Sequence, residues 1–126
     1  MAKLPEIASQ AWENREGPVV LTTVDSNGSP NSIYVTCVKK ISDSQIVVAD
    51  NKMNKTRANI KAGCPVSLLY ITGEKKSYQI KGFVQYLTSG KIFDDMKTVW
   101  LDKKYAGHAA VVIDVKEVYS GADKLA

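Results

Sequence analysis

The chain has 126 residues, 44% of them hydrophobic and 24% charged, which suits one self-supporting domain and excludes disordered and fibrous classes. Its 17 Lys and Arg against 13 Asp and Glu leave a formal net charge of +4. That excess favours an anionic ligand, but it is too small and too scattered for a nucleic-acid binder.

Residues 4–16 read as an amphipathic helix. Leu4, Ile7, Ala8, Ala11 and Trp12 recur at helical spacing, Pro5 suits a first turn, and Gly17-Pro18 ends it. Val19 to Val24 is a β-branched strand, and Asp25-Ser-Asn-Gly28 is a turn. Asn31 to Lys39 follows as a second strand, with Ile33, Val35 and Cys37 on one face and Ser32, Tyr34, Thr36 and Val38 on the other. Ser42 to Ser44 turns the chain into a third strand, Ile46 to Ala49. Lys55 to Ala62 has helical composition, ended by Gly63 and blocked by Pro65. Val66 to Thr72 and Ser77 to Leu87 are the fourth and fifth strands, and Gly82 within the latter marks a bulge or tight bend. Thr88 or Ser89 caps a third helix, whose apolar stripe is Ile92, Phe93, Met96, Val99 and Trp100. Ala109 to Val115 is a sixth strand, apolar almost throughout.

Six strands with short turns between them predict a mainly β fold with flanking helices, an antiparallel barrel filling one domain over 1–126. The start of the chain lacks the apolar core of a leader peptide, and no stretch approaches the roughly 20 apolar residues of a membrane span. The expected setting is cytoplasmic, away from membranes. Cys37 and Cys64 have no metal-ligand spacing and read as reduced, packed thiols. His108 has neither a carboxylate pair nor a nucleophile motif beside it, so no catalytic residue is assigned.

The segment Asp50-Asn-Lys-Met-Asn-Lys-Thr-Arg-Ala-Asn59 carries the chemistry. A strand ends, a polar loop follows, and a short helix begins with Asn54 as its cap and Lys55, Thr56 and Arg57 in its first turn. Two cations there are disfavoured by the helix dipole unless an anion compensates them. One hydroxyl and two cations complement a phosphate. The plain alternative is an ordinary helix start with solvated lysines.

The order of strands and turns leading to "IVVAD", a polar loop and "KTRAN" resembles the FMN-binding split-barrel superfamily, which includes pyridoxamine 5′-phosphate oxidase-like and small bacterial FMN-binding proteins. "YQIKGFVQY" is similar to that family's long strand with a central Gly, and "HAAVVIDVKEV" to its last strand. The resemblance spans roughly Val19 to Val118. It implies a six-stranded antiparallel split β-barrel of Greek-key type that binds FMN at a homodimer interface. It assigns the FMN phosphate to Lys55 and Thr56, and the isoalloxazine ring to Ser32, Ile33 and Tyr34. Val48, Ala49, Asp50, Asn51 and Lys52 would flank the ring and ribityl chain. Asn51 and Lys52 stand where small relatives often have Gly, so their side chains must turn away. Gln79 is implied as a contributor from the dimer partner. Trp100 is a candidate for stacking on the ring, as is Tyr105, against the more ordinary role of a core or dimer-contact aromatic.

The implied function is an FMN-binding oxidoreductase or electron carrier. Pyridoxamine 5′-phosphate oxidase activity itself is disfavoured, since the only arginines are Arg15 and Arg57 and the C-terminus has none of the Arg expected for a substrate phosphate. The alternative class is a non-enzymatic module, either a deazaflavin or haem binder or a dimeric sensor.

Overall fold

The computed structural model describes residues 2–126; Met1, the first residue of the expected domain, lies outside them. Helix α1 (Glu6–Glu13) leads into strands β1 (Val19–Val24), β2 (Pro30–Val35), β3 (Val38–Ser42) and β4 (Gln45–Asp50). Helix α2 (Lys55–Lys61) precedes β5 (Val66–Ile71) and β6 (Ser77–Leu87). Helix α3 (Lys91–Asp95) runs on into a π-helical turn (Met96–Trp100), followed by β7 (Ala109–Ser120) and the short β8 (Asp123–Lys124).

All eight strands belong to one antiparallel sheet, ordered β2-β1-β5-β6-β7-β4-β3, with β8 on the end of β7. The strands at the two ends of that order, β2 and β3, are neighbours in sequence. Only Thr36 and Cys37 separate them. So short a link cannot cross an open sheet, so the sheet curls until its ends meet. This is a mainly β split barrel.

The strand count differs from the six expected. The run from Asn31 to Lys39 is two strands broken at Thr36–Cys37, and β8 is a two-residue addition. The break also reverses the side-chain alternation. Ile33, Val35 and Val38 pack on the barrel core, whereas Cys37 packs on a second cluster outside it. The main core holds Leu21, Ile46, Leu68, Ile80, Val111 and Ile113, with Trp12 of α1 covering one end. Val47, Ala49, Ala110 and Val112 point the other way, under Met96 and Leu101. This two-sided burial is why "IVVA" and "AAVVI" are continuous apolar runs rather than alternating ones.

The helices are shorter than expected. α1 ends at Glu13, and Ile7 stands 53% exposed, outside the buried stripe of Leu4, Ala8, Ala11 and Trp12. α3 is capped by Gly90 at φ +96°, not by Thr88 or Ser89. In the following π turn the Leu101 N–H donates to the Met96 carbonyl, five residues back. That wider turn rotates Val99 outward, leaving it 72% exposed.

Candidate functional site

One cleft gathers most of the residues singled out from the sequence. It lies between the outer side of β2, the end of β4, the 51–54 loop, the start of α2 and the loop before β7. Its volume is about 590 Å³, within the roughly 300–1,000 Å³ of ordinary small-molecule sites. Among the described residues, no carboxylate lines it, while Lys52 and Lys55 both do. An anion therefore meets positive potential there.

Thr56 sits at the floor of this cleft, only 1% exposed. Its Oγ1 accepts a hydrogen bond of 3.0 Å from the Asn31 side-chain amide. The hydroxyl proton is thereby left free to donate to a ligand. α2 is fixed beneath by the Asn59 amide, which donates to Thr23 Oγ1 of β1 at 3.0 Å, and by Ile60 in the core. Asn54 occupies the cap position but makes no side-chain capping bond; it lines the cleft instead. α2 has only seven residues, so side chains rather than a helix dipole supply most of the positive potential.

The Asp50 carboxylate is wholly buried under the loop. Arg57 Nε and Nη2 donate to its two oxygens at 2.7 and 2.9 Å, the Tyr86 hydroxyl donates to one of them, and the Met53 N–H donates to the other at 3.1 Å. Burial opposes ionisation of Asp50, but the bonds from Arg57, Tyr86 and Met53 together outweigh it, and the carboxyl is held below the ordinary carboxylate range. Arg57 is held more firmly protonated by the same carboxylate. Tyr86 is pushed up, first by burial and then by its bond to Asp50.

This arrangement revises two sequence expectations. Arg57 is not a second cation turned toward the anion, because its guanidinium is paired with Asp50. Asp50 itself lies beneath the cleft rather than along its wall. Ser32, Ile33, Tyr34, Ala49, Asn51, Lys52, Lys55 and Thr56 all line the cleft. Val48 does not: it is fully buried in the barrel core, because its neighbours Val47 and Ala49 take the outward positions. Gln79 lies on the outer face of β6, donating to Ser67 Oγ at 2.7 Å, outside this chain's cleft. Trp100 packs against the cluster under α3, also outside it.

The aromatic that reaches the cleft from the 102–107 loop is Tyr105. The link that brings this loop in is Asn51. Its Oδ1 accepts from the Gly107 N–H at 2.9 Å, while the His108 N–H donates to the Asp50 carbonyl at 2.8 Å. The Asn51 side chain is thereby tied to the 102–107 loop. Asn31, Thr36, Cys37, Met53 and Asn54 line the cleft as well, although the sequence marked none of them as ligand contacts. Thr36 and Cys37 are there because of the break between β2 and β3.

The pyridoxamine 5′-phosphate oxidase family model matches residues 6–124. An uncharacterized protein of Methanocaldococcus jannaschii is 32% identical, over 95% of this chain and 82% of its own length. Among solved structures, HupZ of Group A Streptococcus superposes with a TM-score of 0.75 at 20% identity, covering 89% of this chain and 88% of that one. An FMN-binding protein of Syntrophomonas wolfei subsp. wolfei superposes with a TM-score of 0.73 at 23% identity, covering 89% and 81%. At these identities the two structures establish the fold alone. No helix among the described residues is long and apolar enough to cross a membrane. The match to residues 6–124, together with a barrel closed through Thr36–Cys37 and a cleft above Thr56, gives one result: the chain belongs to the pyridoxamine 5′-phosphate oxidase family, within the FMN-binding split-barrel superfamily.

Proposed function

We propose that this protein binds FMN in the cleft above α2 and serves as a flavin-dependent oxidoreductase or electron carrier. The observation that carries the reading is the buried Thr56 hydroxyl, oriented by Asn31 and flanked by Lys55, in a cleft that no carboxylate lines among the described residues. Those donors suit a phosphate dianion. The neighbouring wall of Ser32, Ile33 and Tyr34 offers strand backbone and an exposed aromatic for a planar ring. FMN supplies the electron chemistry when bound; the chain binds, orients and shields it.

The reading includes a homodimer that completes the site. Tyr34 is 76% exposed, and its neighbours across the outer face are Val20, then Leu69, then Gln79, by strand register. Leu69 is 42% exposed. A row that begins at the cleft and runs over apolar residues suits a second copy, and it would bring a partner's Gln79 face toward the ligand. Light scattering that gives the monomer mass of 13.8 kDa in the flavin-loaded state would remove the dimer from the proposal.

Lys55→Ala tests the site. Hydrogen bonds to charged groups are worth about 1.5–3 kcal/mol, so FMN affinity is expected to fall about ten- to hundredfold. Riboflavin, which lacks the phosphate, is expected to bind both proteins equally. Titration by flavin fluorescence reads both constants. A parallel loss for the two flavins would show that Lys55 meets something other than the phosphate.

A further inference from the structure

We infer that Asp50 is the positioning residue of the cleft: its buried carboxylate shapes the 51–56 segment so that Lys55 and Thr56 face the ligand, and it holds Arg57 away from it. The inference rests on the flavin reading above.

Three other elements converge on this one side chain. Asp50 ends β4, the Met53 N–H belongs to the loop, Arg57 lies on α2, and Tyr86 comes from β6. Its main-chain carbonyl accepts from His108, ahead of β7. The bond from the Met53 N–H folds the loop back over the end of β4, and Met53 itself is buried. Arg57 Nε and Nη2 clamp both carboxylate oxygens, which fixes the first turn of α2 in rotation. With α2 so turned, Thr56 faces Asn31 and the cleft, while Arg57, the next residue, faces the carboxylate. Released from Asp50, Arg57 would no longer fix the turn of α2 that sets Lys55 and Thr56 toward the ligand. Paired with Asp50, it leaves the contact to Lys55 and the Thr56 hydroxyl. Selectivity for a phosphorylated flavin over an unphosphorylated one thus depends on a residue that touches neither.

Asp50→Asn keeps the shape and one acceptor oxygen but removes the charge that holds Arg57. We expect the preference for FMN over riboflavin to fall about tenfold, the factor that roughly one charge-assisted hydrogen bond carries. A residue with only a structural role would lower the melting temperature and leave that preference unchanged; this result would overturn the inference. Amide hydrogen exchange in the flavin-free protein gives a second readout that needs no ligand. Met53 and Ala58, whose N–H groups donate to the Asp50 carboxylate and the Asn54 carbonyl, should lose protection in Asp50→Asn while the β6–β7 ladder keeps it; unchanged protection at Met53 would also overturn the inference. If Asp50→Asn does not fold, Tyr86→Phe removes one donor without stranding a charge, and should lower the flavin preference severalfold, with no change counting against the role. A wild-type protein that takes up neither flavin would sink the FMN reading, while the exchange result would still decide whether Asp50 orders the loop.

Discussion

Arg57→Leu is expected to lower the melting temperature by on the order of 10 °C, because it strands the Asp50 carboxylate in the protein interior. Asp50 is 0% exposed, and Arg57 supplies two of its four side-chain hydrogen bonds and all of its nearby compensating charge. Removing one partner of a buried pair leaves the other with its full desolvation cost. The double variant Arg57→Leu with Asp50→Leu should recover much of the loss, since no charge is then buried. Thermal unfolding followed by circular dichroism measures both.

The same pair gives the wild-type fold an acid limit. Asp50 ionises at a lower pH in the fold than in the unfolded chain. Its contribution to stability is therefore complete above the ordinary carboxylate value of about 4 and is lost as pH falls through its lowered folded value. Acid unfolding of Arg57→Leu should begin at higher pH than that of the wild type. Coincident acid transitions would show that the pair does not govern this limit.

Gly82→Ala is expected to have a comparable or larger effect, for a steric reason. Gly82 lies at the centre of β6, paired with Val66 of β5 on one side and Val115 of β7 on the other. The register to β7 shifts there, since Lys81 faces Glu117 and Gly82 faces Val115, leaving Lys116 as the extra residue of a bulge. A Cβ on Gly82 would stand 2.1 Å from the main-chain oxygen of Asp114. Backbone held between two strands cannot move aside as a surface side chain can. The cost is expected at the upper end of overpacking, about 3 kcal/mol or more. That is a large share of the roughly 5–15 kcal/mol that holds a domain folded. Denaturant midpoints of the two proteins compare them directly; an unchanged midpoint would mean that the bulge relaxes freely.

The strands and the cleft were legible to different depths. The β-branched run of Val19–Val24 and the long apolar run of β7 mark their strands, by strand propensity in the first and by burial on both faces in the second. Gly82 betrayed its bulge because only a missing side chain fits there. The break at Thr36–Cys37 left no such mark. No Gly or Pro interrupts the run from Ser32 to Val38, and the bend is imposed by closure of the sheet. Lys55 and Thr56 were readable because they are contiguous with the strand end and loop that form their wall. The partner of Arg57 was not. Asp50 is seven residues away, on the far side of a loop whose path local sequence does not specify. Tyr105 was named as a stacking candidate together with Trp100, and only Tyr105 lines the cleft; the bonds from Gly107 to Asn51 and from His108 to Asp50 that bring its loop in are distant pairings, which leave no local signal.

The most direct measurement is the absorbance spectrum of the protein as purified, followed by mass spectrometry of whatever denaturation releases. A bound FMN predicts a yellow protein with flavin absorbance, and a released mass equal to that of FMN. A colourless protein that takes up no added FMN, or a released haem or deazaflavin, would contradict it.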